Sequence, residues 1–161
     1  MIYILDTNTI SQLYRSFYPN QFPTLWSLFH SLVREGRACS VSEVEAELNA
    51  RSAIQDAIRE LKGFNSEFFA PPTAAEQEYL SRILAVPHFR NAIPERSLAS
   101  GAPVADPYLV AKAGASLEEC LVVTEEAADR PNAARVPNMC DYFHIQHTNL
   151  EGLMQREGWR F

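Results

Sequence analysis

Short β-prone runs alternate along this chain with segments of helical periodicity, and that alternation constrains its fold more than any other feature. Residues 2–5, Ile-Tyr-Ile-Leu, form a continuous apolar run, the pattern of a parallel strand buried on both faces. Further runs lie at Arg37 to Val41, Phe68 to Ala70, Leu121 to Val123 and, more weakly, Phe143 to Gln146. Between them the period changes to 3.6. Leu25, Leu28, Phe29, Leu32 and Val33 mark a helix from Phe22 to about Glu35, with Gly36 as its C-cap. Asp6-Thr7-Asn8 punctuates the first run and a helical pattern follows it through about Tyr14; other helices are predicted from Ser42 to about Ala50, Ala53 to Lys62, Asp106 to about Ala115 and Val136 to Tyr142. Thr73-x-x-Glu76 is a capping box opening a helix to about Val86, and Asn149 caps a last helix ending near Gly158. Residues 87–105 carry three prolines and little periodicity, so a long loop is expected there. Strands alternating with helices imply parallel βαβ units with right-handed crossovers.

A length of 161 residues suits one domain, spanning 1–161, with no internal repeat or linker. Three cysteines, Cys39, Cys120 and Cys140, are odd in number and not spaced as a zinc site, which favours reduced thiols in an intracellular protein. No signal peptide and no run of about 18 apolar residues is visible, so a cytoplasmic chain with no membrane segment is expected. The net charge, 14 − 20 = −6, has the wrong sign for holding nucleic acid by bulk attraction. Any such function must come from a local site.

Acidic residues supply one. In open α/β sheets, ligands collect at the carboxyl ends of the strands. Asp6 follows the first strand directly, Glu43 and Glu47 lie one turn apart on the helix after the second, Asp106 opens the helix before the third central strand, and Glu126 follows that strand. Two like charges about 4 Å apart repel by roughly 1 kcal/mol in water and 4 kcal/mol near a protein surface, so such a cluster calls for a cation. Oxygen ligands without a His or Cys cluster suit Mg²⁺ or Mn²⁺. These ions polarise a phosphoryl oxygen and lower the pKa of a bound water, which is the chemistry of phosphodiester hydrolysis.

Each acid also has a structural reading. Asp6 is a good N-cap for the first helix. Asp106-Pro107 reads as an N-cap followed by Pro at the first helical position. Ser40-x-x-Glu43 fits a capping box, and Thr124 fits an N-cap with Glu125 and Glu126 in its first turn. Elsewhere, His88 and Arg90 in the long loop can touch RNA phosphates but fit a surface loop better, and the aromatic group Tyr14, Phe17, Tyr18, Phe22 and Trp26 can stack bases but fits core packing, or an interface with a partner, better.

Ile4-Leu5-Asp6-Thr7-Asn8, Ser42 to Leu48, Ala105 to Ala111 and Val122-Val123-Thr124-Glu125-Glu126 together resemble the PIN-domain (PilT N-terminus) nucleases, and more narrowly the PIN-like toxins grouped as domain of unknown function 4411. The four pieces stand in family order and span nearly the whole chain. The resemblance implies a three-layer α/β/α sandwich with a mostly parallel sheet of about five strands. It implies a Mg²⁺- or Mn²⁺-dependent ribonuclease in which Asp6, Glu47, Asp106 and Glu126 are the catalytic, metal-binding acids. Asn8 and Thr124 would support them, and Glu43 competes with Glu47. RNA as substrate, an antitoxin protein as partner and a homodimer are further implications. Two alternatives are a PIN-like binding module without activity and a haloacid dehalogenase-type phosphatase with Asp6 as nucleophile. Asn8 stands where that second class places another Asp, and neither Lys62 nor Lys112 fits its required lysine.

Overall fold

In a computed structural model of the protein, residues 1–50, 54–101 and 104–161 are described. The four apolar residues predicted as a strand are β1 (Ile2–Leu5), and β1 is central. It pairs in parallel with β2 (Ala38–Cys39) on one side and β3 (Cys120–Val123) on the other, and β3 pairs in parallel with β4 (His147–Thr148). The order β2-β1-β3-β4 makes an all-parallel sheet of four strands among the described residues. With a neighbour on each edge and cover on each face, Tyr3, Ile4 and Leu5 are all fully buried, which is why β1 shows no polar alternation.

Parallel neighbours need crossovers, and helices supply them. Between β1 and β2 run α1 (Thr7–Ser16) and α2 (Pro23–Arg34). Gly36 adopts φ +69, the left-handed geometry that ends the second of these as predicted. Between β2 and β3 lie α3 (Ser42–Asn49), α4 (Gln55–Phe64), α5 (Ala74–Ala85), α6 (Glu95–Ser100) and α7 (Asp106–Ala115). The predicted capping box is present, with Thr73 and Glu76 bonding reciprocally. The predicted start of α4 at Ala53 lies outside the described residues. After β3 come α8 (Val136–Tyr142), β4 and α9 (Leu150–Arg156), which Asn149 caps through Gly152 N–H at 2.9 Å.

Three expectations need correction. Phe68 to Ala70 is a turn rather than a strand; the Phe68 carbonyl accepts the N–H of Ser40, just past β2, at 2.7 Å. The last strand is shifted to His147–Thr148, past a turn where His144 takes φ +56. The expected loop over 87–105 contains a 3-10 helix at Pro87–Ala92 and then α6. Pro87 and Pro94 start these pieces, which are too short to show a period. The cysteines are free: Cys140 is buried, and burial pushes its thiol up to about 12. The aromatic group packs together, with Tyr14 edge-on to Trp26 at 4.6 Å, while Tyr18 faces solvent. Among the described residues no helix is long and apolar enough to cross a membrane.

The chain leaves β1 toward β2, then returns to β3 on the opposite side. This reversal of winding leaves a crevice outside the carboxyl ends of β1 and β3, the place where α/β sheets bind ligands. Helix α7 delivers its N-terminus to that edge. Its packing on α5 is intimate: a Cβ on Gly114 would stand 2.1 Å from the Tyr79 ring, so any larger residue there must displace the ring.

Candidate metal centre

Register brings the first two residues of the site together. Leu5 lies opposite Val123 on β3, so Asp6 and Thr124 emerge side by side. Asp6 is 3% exposed and caps α1 through Oδ1, which accepts Thr9 N–H at 2.7 Å. Its other oxygen, Oδ2, accepts the Thr124 hydroxyl. Burial raises the Asp6 carboxyl above its ordinary range, against the lowering effect of these hydrogen bonds, and the charge of Glu126 adds to the rise. The capping role is therefore real, and it leaves Asp6 within the field of a second acid.

Asp106 has no such structural employment. Ala105 holds the N-cap position of α7 in helical geometry, and Asp106 and Pro107 are already inside the first turn. The N-cap reading of Asp106 is overturned, because the aspartate stands one residue too late to reach the free N–H groups. Its half-buried carboxyl accepts no hydrogen bond and forms no ion pair with the described residues. It is pushed up to about 7 by burial first, then by the charges of Glu126, Glu47 and Asp6; Arg135 works in the opposite direction. The other three acids predicted from sequence thus all act on Asp106, and Glu126 acts on Asp6 as well.

Glu47 ties two elements of that edge. One oxygen takes the Thr7 hydroxyl at the start of α1, and the other accepts Ala105 N–H at 3.0 Å, directly before Asp106. Glu126 Oε2 accepts Val136 N–H at 3.1 Å, and Glu125 Oε1 accepts Leu150 N–H at 2.8 Å. The reading of Thr124 as an N-cap is overturned, since no helix follows it. The two glutamates instead satisfy the unpaired first N–H groups of α8 and α9. Thr124 Oγ1 accepts Glu126 N–H at 3.1 Å.

The remaining candidates stand apart. Glu43 takes a contact from the adjacent Ser42 hydroxyl and adds to the rise that burial causes in the Tyr108 phenol, and it is not among the charges acting on Asp106. The capping box at Ser40 is overturned: Val41 is the N-cap, and the Ser40 hydroxyl donates to Leu5 O at 2.6 Å. Asn8 is exposed and bonds to none of the acids.

Among the described residues no three His, Cys, Asp or Glu side chains converge into a ready cage for a metal ion. The carboxylates of Glu47 and Glu126 are turned toward backbone N–H groups, which explains the spread. All-oxygen donors with one carboxyl unbonded fit a hard divalent ion that keeps several waters and takes one or two carboxylates, the habit of Mg²⁺. They do not fit a closed zinc site. A cavity of about 320 Å³ opens elsewhere, lined by Ile2, Cys39, Lys112 and Cys120, and none of the four acids lines it.

The sequence model of a family described as Domain of unknown function (DUF4411) matches residues 3–161. The chain belongs to the DUF4411 family. No curated protein and no solved structure matches it. In this DUF4411 protein, sequence reasoning missed Thr7, which anchors Glu47, and Arg135, the cation facing Asp106. Thr7 stood within a quoted motif without an assigned role. Arg135 lies nine residues beyond Glu126 in a stretch without periodicity, and only the fold returns it to the edge.

Proposed function

We propose that this DUF4411 protein is a metal-dependent endoribonuclease of the PIN-domain type, whose three-layer α/β/α arrangement its parallel sheet and helices accommodate. One observation carries the reading: the Asp106 carboxyl has no hydrogen-bond donor among the described residues and stands in the field of three other acids at a switch point of the sheet. Structural capping does not explain it, and uncompensated repulsion of this kind is a cost unless a cation offsets it.

Asp6, Asp106, Glu126 and Glu47 would hold one or two Mg²⁺ or Mn²⁺ ions. When bound, such an ion polarises the phosphoryl group, lowers the pKa of water and offsets charge on the leaving oxygen. The protein's residues do the positioning. Thr124 and Thr9 fix Asp6 in one orientation. Glu47 fixes the segment that carries Asp106, and Glu126 ties the edge to α8. Within the same reading, the protein is the cytoplasmic toxin of a toxin–antitoxin pair, able to form a homodimer, and its antitoxin covers the acidic edge. The phosphatase alternative asks Asp6 to be a free nucleophile. That is disfavoured by its burial and by the engagement of both its oxygens.

Asp6→Asn and Asp106→Asn test the proposal, since Asn caps a helix about as well as Asp. Wild type is expected to melt several degrees higher with Mn²⁺ and to cleave single-stranded RNA; each variant loses both responses while staying folded. Equal cleavage by wild type and variants, with no thermal response to Mn²⁺, would sink the nuclease reading. A Mn²⁺ response without cleavage would favour the inactive binding module.

A further inference from the structure

The acidic edge creates a problem for any RNA: a chain of net charge −6 presents its carboxylates first. One cation is fixed beside them. Arg135 directly precedes Val136, whose N–H is bonded to Glu126, so its backbone is anchored to the cluster. Its guanidinium meets one carboxylate, Asp129, with Nε 3.4 Å from Oδ2 and both side chains about half exposed (47% and 49%). That contact is long for a charge-assisted hydrogen bond, and a guanidinium has five N–H donors to place. Asp129 is itself held, its N–H on Asn138 Oδ1 at 3.3 Å and its Oδ1 on Arg130 N–H at 2.7 Å. Among the described residues Arg135 is thus oriented but unsaturated, with its backbone next to the N–H that Glu126 holds.

We infer that Arg135 is the phosphate-binding residue of this edge, gripping the RNA backbone beside the bond to be cut; the assignment rests on the nuclease reading above. A planar fork matches two phosphate oxygens, which a point-charge lysine does not. Asp129 keeps the fork in place until phosphate competes for it.

The test uses the full chain with Mn²⁺ and a short labelled oligoribonucleotide, comparing wild type, Arg135→Ala, Arg135→Lys and, as control, the remote Arg59→Ala. Arg135→Ala is expected to raise KM about tenfold or more with kcat within about threefold, and to lower the salt slope of kcat/KM by about one. Its Mn²⁺ affinity by calorimetry stays within about twofold of wild type, and Arg135→Lys recovers part of KM. Unchanged KM and salt slope would overturn the inference. So would a joint fall of Mn²⁺ affinity and melting temperature in both Arg135 variants, which marks a mere loop pin. Anisotropy with Ca²⁺ replacing Mn²⁺ separates the two readings. Wild type that binds RNA through Arg135 in Ca²⁺ yet does not cut it in Mn²⁺ defeats only the nuclease reading. Wild type that neither binds nor cuts defeats both.

Discussion

The Thr124 hydroxyl donates to Asp6 Oδ2 across the β3–β1 pair, while its oxygen accepts the backbone N–H of Glu126 at 3.1 Å. One buried hydroxyl therefore connects two acids that are 120 residues apart in sequence, using both its donor and an acceptor lone pair. The in-register pairing of Leu5 with Val123 makes this contact possible, because it brings the two following residues out side by side.

Thr124→Val keeps the shape and removes both bonds, leaving Asp6 Oδ2 buried without a donor. A loss of about 1–3 kcal/mol is expected. Asp6 should also titrate higher, since a bond that lowers its pKa is gone. Thr124→Ser should retain stability and Mn²⁺ response. Thermal melts and Mn²⁺ titrations of both variants check this; equal behaviour of Val and Ser would dismiss the hydroxyl's role.

The raised Asp106 carboxyl gives a pH signature in the metal-free protein. Its folded value is about 7 against an ordinary 3.8, so the folded state holds the proton more tightly than the unfolded state. The stabilisation linked to that proton is complete below about pH 4 and is lost as pH rises through about 7. Asp106→Asn removes the term. In chelator, the variant should match wild type near pH 4 and exceed it at pH 8 by something on the order of 2 kcal/mol, or roughly 4–8 °C in melting temperature. A difference independent of pH would contradict the electrostatic account.

Much of this was legible because it is local. The run Ile2 to Leu5 declared a buried parallel strand, and the acids after strand ends followed from topology. The Thr73 capping box was visible because both partners lie within four residues. What failed was tertiary or too short. The pieces at 87–92 and 95–100 span no more than two helical turns each, so neither shows a period. Asp106 looked like a cap because Asp-Pro is a good one, and nothing local reveals that Ala105 takes that position. The roles of Glu125 and Glu126 depend on N–H groups that arrive 25 and 10 residues later.

Gly114 sets the approach of α7 to α5, and through it the placement of Asp106. A methyl there would stand 2.1 Å from the Tyr79 ring, within its covalent territory. Gly114→Ala should cost about 1–3 kcal/mol by overpacking, despite the better helix propensity of Ala. Tyr79→Leu in the same chain should recover part of the loss by vacating the space. Denaturant unfolding of the single and double variants measures the coupling; additive effects would show that the two residues do not meet.

Glu47 separates charge from position. Its two oxygens hold the Thr7 hydroxyl and Ala105 N–H, so it acts on Asp106 both as a charge and as the tether of the preceding residue. Gln at this position preserves both contacts: its carbonyl accepts Ala105 N–H, and its amide donates to the Thr7 oxygen, whose hydrogen turns away. Glu47→Gln should therefore keep the fold, bring the Asp106 carboxyl down from about 7, and weaken Mn²⁺ binding about tenfold or more through lost charge. Glu47→Ala removes the tether as well, leaving Ala105 N–H without its acceptor, and should lower the melting temperature by several degrees. NMR titration of the Asp106 carboxyl alongside melts of both variants decides the matter. If Gln and Ala behave alike in stability, Glu47 contributes charge alone; if the Asp106 titration does not move in Glu47→Gln, the charge of Glu47 has no part in raising it.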